Sequence, residues 1–157
     1  MAQTYLYEKI SMDLPESFRV MSAEELDALY RDSQKNRCGA WDEEQHIRLT
    51  LIWQKAGLLG KIADLRAMVR RNEMLTEKGL KDHGYQCEDF FELKVDAKTY
   101  YGYRYHYQIQ GIDQIMETVL LRRNGLLFNL SCACRTGGEA VSRQTLVRSL
   151  ETLQIEK

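Results

Sequence analysis

The sequence contains 157 residues, of which 44% are hydrophobic and 29% are charged. These proportions are typical of a globular protein, so we predict a single domain over residues 1–157 and exclude a disordered chain. With 22 Lys and Arg against 23 Asp and Glu, the formal net charge is −1, which disfavours a nucleic-acid partner, and the short apolar runs exclude insertion into a membrane.

The amino-terminal segment and the cysteines indicate the compartment. Residues 1–15 lack a basic start followed by an apolar stretch, so they do not resemble a secretory signal, and we expect a cytoplasmic protein. The cysteines form no C-x-x-C pair, and the histidines do not flank them at zinc-finger spacing. We therefore expect free thiols, no metal and no cofactor; the cysteines are Cys38, Cys87, Cys132 and Cys134.

The chain opens with a predicted strand region over residues 4–14, which Pro15 ends because proline cannot donate a hydrogen bond to a sheet. Ser22 and Glu25 stand three residues apart, as the two members of a helix capping box do. We therefore expect a short helix that begins after Ser22 and ends near Tyr30.

A hairpin and a long helix follow the polar residues 31–36, which predict a loop. Residues 38–41 and 46–53 flank a polar turn, and the second segment alternates apolar and polar residues with the period of a half-buried strand. Residues 59–78 show helical periodicity up to a stop at Gly79, with basic residues opposite an apolar side that comprises Leu58, Ile62, Leu65 and Val69.

The second half of the chain predicts antiparallel strands and a closing helix. The expected strands cover residues 90–95, 99–110, 115–123 and 126–135, and the helix covers residues 139–150. Turns are expected at residues 96–98, at residues 111–113 and at Asn124-Gly125, the dipeptide that favours a two-residue hairpin. The predicted fold is α+β, an antiparallel sheet of about six or seven strands flanked by helices.

The Asn124-Gly125 turn also fixes which residues face each other across the hairpin. Glu117 then lies opposite Cys132, on a mostly apolar side that we assign to the core, where a free cysteine acts as a small inert hydrophobe. Two hypotheses remain for Glu117. It reaches water or pairs with an arginine near a sheet end, or it lines a pocket in which a carboxyl group lies beside a thiol.

The strand over residues 99–110 has an unusual row of tyrosines. Its two faces separate the aromatic rings from a polar row that includes Arg104 and His106. The rings either pack under a helix, or they form a partly exposed platform that binds a protein or a small ligand. The candidate binding residues are Tyr101, Tyr103, Tyr105, Tyr107, Arg104 and His106.

The order of elements resembles that of the PsbP-like α/β/α sandwich superfamily. The resemblance covers nearly the whole chain and rests on Leu14-Pro15-Glu16-Ser17-Phe18, on Tyr101-Gly102-Tyr103-Arg104-Tyr105, on the Asn124-Gly125 hairpin and on the closing residues 145–153. That superfamily includes the extrinsic photosystem protein, the Ran-binding nuclear import factor and uncharacterised bacterial groups. Without an export signal, the chain is similar to a cytosolic bacterial branch.

The resemblance implies a non-catalytic binding or accessory domain with a protein partner, and we also expect a homodimer as one form of that partnership. The contact surface is predicted at the tyrosine strand, residues 100–107. The alternative is a small-molecule-binding protein or an enzyme with a pocket near Glu117, Cys132 and His106. A deep pocket that holds these three groups would favour the alternative.

Overall fold

The structure is a computed structural model that describes residues 2–30, 36–58 and 62–156. Its main element is an antiparallel sheet of seven strands in the order β3-β4-β5-β9-β8-β7-β6. These strands are β3 (Arg19–Val20), β4 (Arg37–Asp42), β5 (Ile47–Lys55), β6 (Gln86–Val95), β7 (Lys98–Ile109), β8 (Ile112–Arg123) and β9 (Leu126–Arg135). The predicted α+β class and the size of this sheet are confirmed.

A smaller sheet, which the sequence did not predict, has three strands in the order β1-β2-β10. Its strands are β1 (Ala2–Tyr7), β2 (Ile10–Leu14) and β10 (Gln154–Ile155). The last strand pairs with the second, so that Ile155 lies opposite Ile10 and the two ends of the described chain meet in one sheet.

Helices cover both faces of the main sheet. They are α1 (Ala23–Tyr30), α2 (Leu65–Leu80) and α3 (Glu139–Thr152). Leu146 of α3 is buried with Phe128 and with Met12 of the small sheet, so α3 and the small sheet cover one face. Val69 of α2 is buried with Tyr103 on the other face. No helix in the described part of the chain has the length and apolar character needed to cross a membrane.

The hairpins of the second half follow from residues that tolerate a positive φ angle. Asn124 (53°) and Gly125 (74°) form the predicted turn, and the predicted register is confirmed, with Glu117 opposite Cys132. The turn expected at residues 111–113 lies one residue earlier, because Gln110 (52°) and Gly111 (78°) make a two-residue connection.

The first predicted strand is wrong as a single element, because residues 4–14 belong to a hairpin. β1 and β2 pair antiparallel, with Thr4 opposite Met12, and the chain reverses at residues 8 and 9. Neither of those residues is a Gly or Asn, so the local sequence carries no turn signal there. The reversal is stabilised by burial of Ile10, Met12 and Leu14 in the core.

The capping box of α1 is confirmed by two reciprocal hydrogen bonds. The backbone N–H of Glu25 donates to Ser22 Oγ (3.2 Å), and the N–H of Ser22 donates to Glu25 Oε1 (3.0 Å). The loop predicted for residues 31–36 falls mostly on residues 31–35, outside the described residues.

The long helix α2 begins later and ends later than predicted. Asp64 accepts a hydrogen bond from the N–H of Arg66 (3.1 Å) and caps its start, whereas residues 59–61 lie outside the described residues. Leu58 and Ile62 are 83% and 78% exposed, so they do not join the buried side of the helix. The expected stop at Gly79 is wrong, since the helix continues and a turn of 3₁₀ helix ends at Gly84, with a φ of 67°.

Gly102, in the middle of β7, occupies a position with no room for a side chain. A Cβ atom there would lie 2.2 Å from the backbone oxygen of Thr118 and 2.8 Å from the ring of Phe91. Gly79 in α2 is the opposite case, because nothing lies within 4 Å of its would-be Cβ.

We expect Gly102→Ala to lower the free energy of unfolding by about 1–3 kcal/mol, because strand backbone or Phe91 must move. The matched control Gly79→Ala should raise it by about 0.5–1 kcal/mol, since alanine restricts the unfolded chain and favours the helix. Urea denaturation measures both changes. Equal effects of the two substitutions would contradict the packing at Gly102.

Candidate functional site

Glu117 is a buried acidic side chain at the centre of an ion-pair network. It projects from β8 on the face that α3 covers, and only 2% of its surface is exposed. Arg143 of α3 donates from Nε to Glu117 Oε1 (2.9 Å), and Arg104 of β7 donates from Nε to Oε2 (3.2 Å). The hypothesis that Glu117 pairs with an arginine is confirmed.

The position of Arg143 depends on an aromatic ring. Its guanidinium carbon lies 4.5 Å from the centre of the Phe91 ring, and Phe91 lies opposite Gly102 in the β6–β7 pair. The ring therefore fills the space that a side chain at position 102 would take, and its face packs against the guanidinium of Arg143.

The network continues from Glu117 to the rim of the sheet. Arg104 also approaches Glu88 (Nη1 to Oε1, 3.8 Å), and Glu88 Oε2 lies 3.0 Å from His106 Nε2. Positive and negative groups thus alternate from the core to the surface. Each carboxylate of this network therefore has a cationic or imidazole partner, and removal of one partner would leave a charge without compensation.

The thiol beside Glu117 is not a candidate nucleophile. Cys132 is fully buried and accepts a hydrogen bond from Ser142 Oγ (3.2 Å). Burial raises the pKa of the Cys132 thiol to about 12, and burial also raises the pKa of Cys134. The predicted inward position of these cysteines is confirmed, and at neutral pH Cys132 is a protonated thiol.

Glu117, Cys132 and His106 do not share one of the clefts lined by residues 2–30, 36–58 and 62–156 that we describe. His106 lines a polar cleft of about 470 Å³ at the sheet end together with Glu88 and Gln108, and neither Glu117 nor Cys132 lines that cleft. The common pocket that the alternative hypothesis required is therefore not found among the described residues. His106 is separate from Glu117 because it lies opposite Ile115, which is two residues nearer the end of β8 than Glu117.

The tyrosine row is mostly core. The rings of Tyr103, Tyr105 and Tyr107 are buried and follow one another at centroid distances of 5.5 and 5.6 Å. The Tyr103 hydroxyl lies 2.8 Å from Asn72 Nδ2 and 2.8 Å from Thr76 Oγ1, both on α2, and burial raises the pKa of Tyr103 to about 12. Packing under a helix is thus the correct hypothesis for these three rings, and an exposed platform is wrong for them.

A smaller set of aromatic side chains does reach the surface, beside the tyrosine row. Arg66 lies 4.8 Å from the centre of the half-buried Tyr101 ring, and Arg70 lies 5.0 Å from the ring of Phe90, which is 40% exposed. These two arginines and two rings line a cleft of about 290 Å³ between α2 and the strands. We call Arg66, Arg70, Phe90 and Tyr101 the arginine–aromatic patch.

The patch lies at an open edge of the sheet. β6 is the last strand in the sheet order, and Glu92 on it forms an ion pair with Arg66. The sequence indicated a solvated helix face or a patch for an anionic partner at the basic residues of α2, and it did not indicate their aromatic partners, which are on strands distant in the chain. Spacing along one element gives no signal for such a pairing.

Comparison with known proteins shows the fold and no closer relationship. No family model matches the sequence, and no curated protein matches it. Among solved structures, the chain is similar to the Ran-binding protein Mog1p of Saccharomyces cerevisiae, with 12% identity and a TM-score of 0.63, over 98% of this chain and 94% of that one.

Two further structures have the same fold. Cyanobacterial PsbP (CyanoP) from Synechocystis sp. PCC 6803 gives a TM-score of 0.62 at 8% identity, over 94% of this chain and 87% of that one. A protein from Bacteroides thetaiotaomicron gives a TM-score of 0.60 at 13% identity, over 98% of this chain but only 48% of its own length. The predicted PsbP-like fold is confirmed.

Replacing Glu117 tests the central network. We expect Glu117→Gln to lower the free energy of unfolding by about 2–3 kcal/mol, below the full cost of unpairing a buried charge because both arginines retain some access to water. Urea denaturation measures the loss. In the control Glu92→Gln, which removes a surface pair, the denaturation midpoint should not change; a similar midpoint shift in both variants would show that Glu117 is solvated.

Alkylation tests the state of the thiols. We expect iodoacetamide at neutral pH to modify Cys87 slowly, because it is partly exposed although burial raises its pKa, while Cys38 and Cys132 stay unmodified in the folded protein. Burial raises the pKa of Cys38 and of Cys132 to about 12, so almost no thiolate forms there. Peptide mass spectrometry measures the modification, with urea-unfolded protein as the control. Rapid modification of Cys132 in the folded state would contradict its burial.

Proposed function

We propose that this protein is a non-catalytic protein-binding domain and that its contact surface is the arginine–aromatic patch. The observation that carries the proposal is the stacking of Arg66 and Arg70 on Tyr101 and Phe90 at the open edge of the sheet. Arginine and aromatic side chains contribute most of the energy at many protein interfaces. Both types are partly accessible here, and both are held by the framework beneath them.

The patch is organised before a partner arrives, which lowers the entropy cost of binding. Arg66 is restrained by the Tyr101 ring and by its ion pair with Glu92, so it has few rotamers to lose. The buried Tyr103 hydroxyl bonds to α2 and holds that helix against the strand from which Tyr101 projects. Tyr103, Tyr105 and Tyr107 therefore act as support, while Tyr101 is the tyrosine that can touch a partner.

The open edge of β6 adds a second means of contact. An edge strand carries backbone N–H and C=O groups that can pair with an extended segment of another chain. In this proposal a partner peptide lies along β6 and places side chains on Phe90. A second copy of this protein is one such partner, which retains the expected homodimer as a form of the same contact.

Two candidate residues take a different role in the proposal. Arg104 and His106 lie on the opposite face from the tyrosines, where Arg104 binds Glu117 and His106 binds Glu88. They stabilise the edge rather than contact the partner. A non-catalytic role is supported by the paired state of these charges, and a cytoplasmic location is supported by the four unpaired cysteines, Cys38, Cys87, Cys132 and Cys134.

A photocrosslinking experiment tests the contact surface. We place p-benzoylphenylalanine at position 90 and, as a matched control, at position 109 in the cell that makes the protein; the natural residues there are 40% and 38% exposed. We expect a crosslinked product of higher mass from position 90, with the control giving at most a trace. Mass spectrometry identifies the partner, and a product of twice the chain mass identifies a second copy.

The substitution Arg70→Ala, combined with the crosslinker at position 90, completes the test. Removing the stacked guanidinium should lower the crosslinked yield about tenfold, the effect of one moderate hot-spot residue. Equal yields from positions 90 and 109, or a yield that Arg70→Ala leaves unchanged, would refute the arginine–aromatic patch as the contact surface.

A further inference from the structure

A groove of about 610 Å³ lies on the other flank of α2, away from the arginine–aromatic patch. Ile52, Asn129 and Leu120 line it and stand side by side on β5, β9 and β8, because the register pairs Asn129 with both neighbours. Met68 and Leu75 line it from the helix. The groove is therefore a space between helix and sheet with a largely apolar lining.

Its size matches a small molecule. Sites for small ligands in proteins have volumes of about 300–1,000 Å³ and are lined mainly by apolar side chains with a few polar groups. Leu75 leaves 60% of its surface in water at the side of the groove. A ligand that covered Leu75 would remove this apolar surface from water, which favours an apolar body.

The charge beside the groove specifies the ligand further. Arg71 lines the groove, is exposed, and has no carboxylate within ion-pair distance among the residues that the structure describes. Arg122, by contrast, already donates to the backbone oxygen of Ala63 (2.8 Å), a residue that lines the groove. An unpaired guanidinium next to an apolar space complements an anionic head group.

Asn129 supplies a polar group within the apolar lining. Its Oδ1 atom is buried and has no hydrogen-bond partner in the described structure. The side chains beside it in the row, Ile52 and Leu120, carry no donor. A buried amide oxygen without a donor is unfavourable. Rotation of the amide about its Cβ–Cγ bond would present the oxygen to a ligand N–H or O–H.

We propose that this groove binds a small amphipathic anion. Its acidic head group pairs with Arg71, and its apolar body packs against Met68, Leu75 and Leu120. A hydrogen-bond donor of the ligand bonds to Asn129. The ligand class is an aromatic or aliphatic acid that carries one N–H or O–H group. This site is independent of the protein contact, because Arg66, Arg70, Phe90 and Tyr101 do not line the groove.

Two fluorescent probes test the proposal on the whole chain. Anilinonaphthalene sulfonate has an apolar body, one N–H and a negative charge, and N-phenyl naphthylamine has the same body and N–H without the charge. Each should bind one site saturably with increased emission, and the sulfonate should bind more tightly. No saturable binding of either probe would overturn the site.

Variants of neighbouring helix residues locate the bound probe. Leu75→Gln should weaken both probes about tenfold, because it replaces apolar contact by a polar amide at similar size and helix propensity. Met74→Gln is the matched control, since Met74 is as exposed as Leu75, at 60%, but does not line the groove. Circular dichroism checks that both variants fold, and equal effects of the two substitutions would overturn the location.

The charge is tested by a second matched pair. Arg71→Gln should weaken the sulfonate about tenfold and leave the uncharged probe unchanged, whereas Lys78→Gln, which removes an exposed charge of the same helix outside the groove, should affect neither probe. Equal loss of both probes in Arg71→Gln would overturn the anionic head group. Failure here leaves the crosslinking result at position 90 unaffected, so the two proposals fail separately.

Discussion

The ion pair between Glu117 and Arg143 connects the last helix to the middle of the sheet. Glu117 is buried on a central strand, so its charge requires partners that come to it. Arg104 is supplied by the adjacent strand, directly opposite in the register. The apolar contacts of α3, such as that of Leu146 with the core, are not directional. The hydrogen bonds of Arg143 are directional, so they favour one rotation of α3 about its own axis and one position along the strands.

Local signals in the sequence predicted the elements whose causes are local. Asn124-Gly125 defines its own turn and hence the register of the β8–β9 pair, and Ser22 with Glu25 defines the start of α1. The first hairpin and the small sheet could not be found in this way. The first hairpin has neither Gly nor Asn at its reversal, and the third strand of the small sheet comes from the other end of the described chain, with Ile155 opposite Ile10.

The candidate site shows the same division. Alternation along one strand correctly put the tyrosines on one face and Arg104 on the other, and the register correctly put Glu117 opposite Cys132. Which face a helix covers is decided by tertiary packing, so the burial of Tyr103 and the stacking of Arg70 on Phe90 needed coordinates. A buried acid by itself indicated either a reactive group or a structural pair, and only the position of Arg143 distinguished them.

The pairing of β10 with β2 has a consequence for the order in which the chain is made. The ribosome makes β2 before β10, the neighbour that closes its second edge at residues 154 and 155. Until β10 is made, the backbone groups on that edge of β2 lack their native partner, and Met12 lacks part of its covering until Leu146 of α3 is made. In that interval the first hairpin exposes an unpaired strand edge at which another chain can pair.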